Sequence, residues 1–190
     1  MKIDLGNILI LSPHYDDWFF GCWAFINRGS GTILVFSTGA AVGDPDEEAR
    51  KEEMTEARKI IPPFWTVVEA QMFMARQFFL SQDKIRDAIY KAVQRLKPKT
   101  LLIPGGRHED HCVVRDEAER ICENVKLNRI YYYVNMNSLK PKPTVVVHLT
   151  EQEAHSKAVL AQALWKSQSN RLAYLQAGGE ELYRWEEGEW

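Results

Sequence analysis

The stretch Ile8-Leu9-Ile10-Leu11-Ser12-Pro13-His14-Tyr15-Asp16-Asp17 sets an apolar run directly before a histidine and a pair of acids. A short apolar run bounded by turn residues reads as a buried strand. A second stretch repeats the arrangement, with Leu101-Leu102-Ile103-Pro104 followed closely by His108-Glu109-Asp110-His111. Each polar cluster therefore falls where a strand gives way to a loop. In open α/β sheets the carboxyl ends of strands are where sites are built. The two clusters read as one metal site split between two strands.

Working outward, strands alternate with helices. A helix carrying Trp18, Phe19, Cys22 and Phe25 or Ile26 on its apolar stripe follows the first cluster. Thr32 to Ser37 is the next strand, closed by Thr38-Gly39. A charged helix runs from Asp46 to about Ile61, where Pro62-Pro63 stops it. Trp65 to Ala70 is a short strand, and Ser81 caps an amphipathic helix ending at Leu96. After the strand Thr100 to Ile103, a helix is expected from about His111 to Val125. Arg129 to Val134 and Thr144 to Leu149 are further strands, rich in Tyr and Val. Thr150 caps a last helix to about Ser167, with Glu153 completing a capping box. This alternation predicts one α/β domain over residues 1–190, a mostly parallel sheet with helices on both faces. The tail after Gln168 is left open between packed and loose, since Gly178-Gly179 breaks any helix there.

Bulk properties exclude several classes. A net charge of -2 gives no excess of Lys and Arg for nonspecific nucleic-acid binding. Cys22, Cys112 and Cys122 form no CxxC pair, which argues against a disulfide framework and for a reducing compartment. The first residues lack a signal-peptide apolar region, and no apolar run approaches the ~18 residues of a membrane span. A cytoplasmic protein is the expectation. Trp165, Trp185 and Trp190 lie towards the C-terminal end, where an aromatic surface or partner interface is conceivable.

Histidine nitrogen and carboxylate oxygen are the ligand types of catalytic zinc, which keeps three protein ligands and one open position. His14 and Asp17, three residues apart, can converge as the chain turns from strand into helix, and His111 is the natural third donor. Asp16 is then adjacent to the metal as a general base, and His108 is free to serve an oxyanion or a leaving group. The implied reaction is hydrolysis of an amide or ester by metal-activated water. Plainer readings stand beside this one. A histidine at a strand end can be a capping group, and Asp16 and Asp17 could merely serve a helix dipole. Asp110 reads as a capping residue, and Cys112 as a small residue in the first turn of its helix.

The residues also resemble a known family. Ser12-Pro13-His14-Tyr15-Asp16-Asp17 resembles the Pro-His-Pro-Asp-Asp-Glu signature of the PIG-L/LmbE-like zinc-dependent N-acetylglucosaminyl deacetylases, and Arg107-His108-Glu109-Asp110-His111 resembles their His-x-Asp-His motif. Thr32 to Gly39, Arg50 with Glu53, Tyr131-Tyr132-Tyr133 and Lys157 to Gln168 extend the resemblance over roughly residues 5–170. It implies a Rossmann-like fold and hydrolytic removal of an acetyl group from an N-acetylglucosamine-type sugar or its conjugate. In the matched pattern His14, Asp17 and His111 hold zinc, with another divalent ion left open as the metal in the cell. Asp16 is the base, His108 stabilises the oxyanion, and Arg50 reaches the substrate unless it is simply a solvent-facing charge.

Two positions depart from the pattern, Tyr15 where the family has proline and Trp18 where it has glutamate. A change in the groups that surround the ligands, or in the substrate pocket, is expected from them. The alternative is a weakened or inactive relative that binds a sugar conjugate. The apolar segment from Gln71 to Phe79 is expected near the site mouth, as core packing, substrate-facing surface or the seat of a homo-oligomer. A nucleotide-binding module is disfavoured, because no Gly-x-Gly-x-x-Gly turn follows the first strand. A phosphoesterase usually recruits two metals and more carboxylates than are present.

Overall fold

A computed structural model of the chain describes residues 6–41, 43–70, 73–134, 145–166 and 180–186. The chain opens with β1 (Ile8–His14), α1 (Asp17–Arg28), β2 (Gly31–Ser37), α2 (Glu47–Lys59) and β3 (Trp65–Glu69). A short 3-10 turn (Phe78–Ser81) leads into α3 (Gln82–Leu96), β4 (Thr100–Pro104), α4 (Glu109–Cys122) and β5 (Asn128–Tyr132). The remaining elements are β6 (Val145–His148), α5 (Glu151–Leu164) and β7 (Glu180–Glu186).

The strands form one sheet in the order β3-β2-β1-β4-β5-β7-β6. The five strands from β3 to β5 are parallel to their neighbours. From β1 the chain winds outward to β2 and β3, then returns past β1 to β4 and β5. The sheet therefore switches direction between β1 and β4, the place where open α/β sheets leave a crevice.

Alternation of side chains gives each face its own core. Ile8, Ile10, Ile33, Val35, Leu102, Ile130 and Tyr132 pack with α1 and with Ala57 and Ala161 of α2 and α5. Leu9, Leu11, Leu34, Phe36, Leu101, Ile103 and Tyr131 pack with the apolar stripes of α3 and α4. Because helices cover both faces, the central strand is apolar throughout: Ile8 to Leu11 are 0–1% exposed. Each such side chain contributes about 1.5–3 kcal/mol on burial. The end of β1 is thereby anchored where its polar residues begin.

Local signals explain most boundaries, with some shifts from the sequence reading. The Thr150 hydroxyl accepts the Glu153 amide at 3.2 Å while Glu153 accepts the Thr150 amide at 2.8 Å, completing the capping box of α5. That helix ends at Leu164 rather than near Ser167, and Trp165 is 2% exposed in the core rather than on an aromatic surface. Ser81 stands at the N-cap of α3, without a side-chain capping bond. Helix α4 begins at Glu109, two residues before the expected start, because His108 takes the cap and its ring accepts the Asp110 amide at 3.3 Å.

The tail holds the largest surprise. Residues Glu180–Glu186 form a strand that enters the sheet between β5 and β6, antiparallel to both. Residues 167–179 and 187–190 lie outside the described residues. Cys22, Cys112 and Cys122 take part in no disulfide. Among the described residues no helix is long and apolar enough to cross a membrane.

Candidate metal centre

Two strand ends meet at the switch point. His14 is the last residue of β1 and Asp17 the first of α1, so only Tyr15 and Asp16 separate strand from helix. The turn is held by Ser12, whose hydroxyl donates to the His14 carbonyl at 2.6 Å and accepts the Trp18 amide at 3.2 Å. Asp17 bends back over it, its Oδ2 accepting the His14 amide at 2.8 Å. From β4 the chain passes through Gly105-Gly106 before His108 caps α4 and His111 completes its first turn.

The side chains converge on one carboxylate oxygen. Asp17 Oδ2 lies 3.3 Å from His14 Nδ1 and 3.0 Å from His111 Nε2. Neighbouring ligands around a tetrahedral ion with bonds of about 2.0–2.1 Å stand about 3.3–3.4 Å apart, so these spacings suit a shared cation. The outer nitrogens are engaged elsewhere. His14 Nε2 meets Asp110 Oδ2 at 2.9 Å, and His111 Nδ1 faces the Gly105 carbonyl at 3.3 Å. This is the usual state of a metal-binding histidine, one nitrogen inward and the other tied to an oxygen acceptor. Among the described residues, the groupings whose donor atoms all lie within 4.8 Å of one another are His14 with His108 and His111, and His14 with Asp16 and Asp17. The expected set of His14, Asp17 and His111 is joined through Asp17 instead.

The electrostatics call for positive charge. Asp16, Asp17 and Asp110 are 1–2% exposed, and buried carboxylates cost several kcal/mol each unless compensated. Burial opposes ionisation of Asp17, but His111 and His14 outweigh it and hold the carboxyl well below its ordinary range. For His14, burial disfavours the charge, yet the charge of Asp17 and the hydrogen bonds the ring donates to Asp110 and Asp17 raise it to about 10. A divalent cation among these groups would neutralise the same carboxylates. Asp110 Oδ1 adds a buried oxygen without a hydrogen-bond partner. On donor type, spacing and charge, the residues fit a metal ion.

His108 differs from the other two histidines. It is exposed, and its ring centroid lies 5.0 Å from that of His14 and 5.3 Å from that of His111. Partial desolvation and the charges of His14 and His111 push it down to about 4. With Nδ1 accepting the Asp110 amide, its remaining proton sits on Nε2. The ring is a neutral donor at the mouth of the site.

Arg50 reaches the rim. It is paired with Asp44 at 3.4 Å, and its guanidinium lies against Gly39 in the turn after β2. Gly39 has φ +86, and an added Cβ would sit 3.2 Å from Arg50 Nη1 and 3.5 Å from His14 Cβ. The positive φ, more than the space, is what favours glycine at this turn.

The two departures from the matched pattern are both buried. Trp18 is fully buried and edge-on to Phe19 in the apolar core, while Tyr15 is 1% exposed with its hydroxyl accepting Arg58 Nε at 2.8 Å. Both rings sit in the apolar core beside β1 and α1, Tyr15 against Trp165. The segment after β3 divides its roles. Ala75 and Phe78 are buried, Phe78 being 6.1 Å from the His14 ring, while Met74, Phe79 and Leu80 are exposed. Gln71 and Met72 lie outside the described residues.

The sequence reading missed Asp110 as a partner of His14, having assigned it to capping. The cap is His108, and the Asp110 carboxylate points to β1 instead. Nothing in local spacing signals a contact across 96 residues.

By sequence, neither a protein-family model nor a curated protein matches the chain. By structure, it is similar to the A40926 pseudoaglycone deacetylase Dbv21, with a TM-score of 0.69 at 15% identity over 96% of this chain and 97% of that one. It is equally similar to a deacetylase triple mutant from the teicoplanin biosynthetic pathway, with a TM-score of 0.70 at 15% identity over 95% and 97% of the two chains. These likenesses span nearly the whole chain and establish a shared α/β fold.

Proposed function

We propose that the chain is a metal-dependent N-deacetylase that removes an acetyl group from an N-acetylated sugar of the N-acetylglucosamine type, or from its conjugate. The observation that carries this reading is the placement of Asp17 Oδ2 within 3.3 Å of His14 and 3.0 Å of His111, beside the buried Asp16. The resemblance of both motifs to PIG-L/LmbE-like deacetylases, and a fold shared with two deacetylases, support it.

His14, Asp17 and His111 would hold zinc or another divalent ion. Such an ion, when bound, acidifies water and polarises the acetyl carbonyl. Asp16 takes the proton from the attacking water on a carboxylate oxygen and returns it to the departing amine. His108 donates its Nε2 hydrogen to the carbonyl oxygen as negative charge develops there. A carbon–oxygen bond forms, the carbon–nitrogen bond breaks, and acetate and a free amino sugar result. Arg50, at the rim beside Gly39, contacts the sugar or its attached group.

The test is acetate release by zinc-loaded protein over N-acetylglucosamine and its nucleotide-, lipid- and thiol-linked forms. Release from one of them, lost on chelation and restored by zinc, is the expected result. A protein that takes up no divalent metal would overturn the reading. Metal uptake and calorimetric sugar binding without acetate release would favour the binding-protein alternative.

A further inference from the structure

We propose that Asp110 is a positioning residue for the metal ligand His14, and that the backbone amide of Arg76 fixes Asp110 in that role. The inference rests on the metal-centre reading above. Three elements distant in sequence meet at one oxygen. Asp110 Oδ2 accepts His14 Nε2 at 2.9 Å and the Arg76 amide at 2.7 Å. Since His14 Nδ1 faces Asp17, the Asp110 bond sets the ring rotation that aims Nδ1 inward and makes that nitrogen a better donor.

The helix start has no need of this carboxylate. His108 already caps α4, and it does so through the Asp110 amide, which any side chain at this position retains. Asp110 is 1% exposed and its Oδ1 has no hydrogen-bond partner. A buried acid satisfied on one oxygen only is poorly suited to stabilising a fold. Its two bonds point instead to orientation of the ring.

Arg76 contributes through its main chain. Its φ of +62 is a left-handed conformation that is costly for a residue with a side chain. The loop around it is pinned on the sheet by Phe73 N to Phe36 O at 2.7 Å and Ala75 N to Ala40 O at 3.1 Å. In this backbone conformation the Arg76 amide itself points at Asp110. The connection after β3 thereby bears on a ligand at the end of β1 without touching the metal.

The test measures zinc affinity by competition with a chromophoric chelator, together with the visible spectrum of the cobalt-loaded protein. In Asp110→Ala zinc affinity falls about 10–100-fold and the cobalt spectrum shifts. Asp110→Asn, which keeps an acceptor of the same shape, recovers part of both and carries the test if the alanine variant folds poorly. Arg76→Gly keeps the amide and eases the left-handed backbone, so its zinc affinity stays at the parent value. A loss there as large as in Asp110→Ala would overturn the part given to the amide. Parent-like affinity and spectrum in both Asp110 variants would overturn the positioning role and leave the metal centre standing. A parent protein that binds neither zinc nor cobalt would overturn both.

Discussion

At the end of β1 the candidate ligands are continuous with regular structure, His14 closing the strand and Asp17 opening the helix. At the end of β4 a glycine pair and the exposed His108 intervene before His111. The first end is buried and locked by short bonds through Ser12 and Asp17. The second exposes His108 but buries Asp110 and His111, and places its donors along a helix turn. The contrast suits a division of labour in which the β1 end holds charge and the β4 end meets the substrate.

The largest effect that would test this division is at Asp17, which serves both histidines. Asp17→Ala is expected to abolish stoichiometric zinc binding, read by metal analysis after dialysis. Retention of one zinc per chain would mean that the His14, His108 and His111 grouping holds the ion. Next, Asp16→Asn should lower turnover roughly a hundred- to ten-thousand-fold with metal content unchanged. Loss of zinc in that variant would make Asp16 a ligand rather than a base. On the β4 side, His108→Asn keeps a capping side chain for α4 but removes the imidazole donor. It should cost about 10²–10³ in kcat while zinc affinity stays near the parent value.

A smaller effect probes the glycine turn itself. In Gly105→Ala the new Cβ would meet Tyr133 Cε1 at 2.4 Å and the Tyr132 carbonyl at 2.9 Å. Crowding of this kind costs about 1–3 kcal/mol, measurable by denaturant unfolding. The smallest effect is a control far from both ends. Arg28 and burial act in opposite senses on Glu153, and the hydrogen bond from Arg28 prevails, holding the carboxyl down to about 2 against an ordinary 4.5. Stability from this pair is therefore whole above about 4.5 and is lost as pH falls toward 2. With Arg28 partly exposed, up to about 1 kcal/mol is expected, and Arg28→Ala should flatten that acid-side loss without altering zinc binding.

Much of this was legible in the order of residues. The apolar runs before His14 and His108, the helical stripe of Ile85, Ile89 and Val93, and the Thr150–Glu153 capping box are local signals, and the structure keeps each. The strand-to-loop position of both clusters placed them at the switch point. Contacts that local pattern does not encode were hidden. The Asp110 bond to His14 and the left-handed Arg76 depend on how β3, α4 and β1 come together. Placement of β7 was also missed, although Leu182, Tyr183 and Trp185 after Gly178-Gly179 carry the residue types that strands favour. Intrinsic preference identifies a strand but does not name its neighbours.

That placement has a consequence for the order in which the molecule can be made. Strand β6 leaves the ribosome before β7, yet among the described residues β7 alone joins it to the sheet. At ordinary elongation rates β6 waits a few seconds for its partner. The candidate centre needs no such delay, since its residues lie between His14 and His111 and the parallel strands are complete by Tyr132. The chemistry can thus be assembled while the far edge of the sheet is still unfinished, and a nascent chain halted after β5 would be the place to look for early zinc capture.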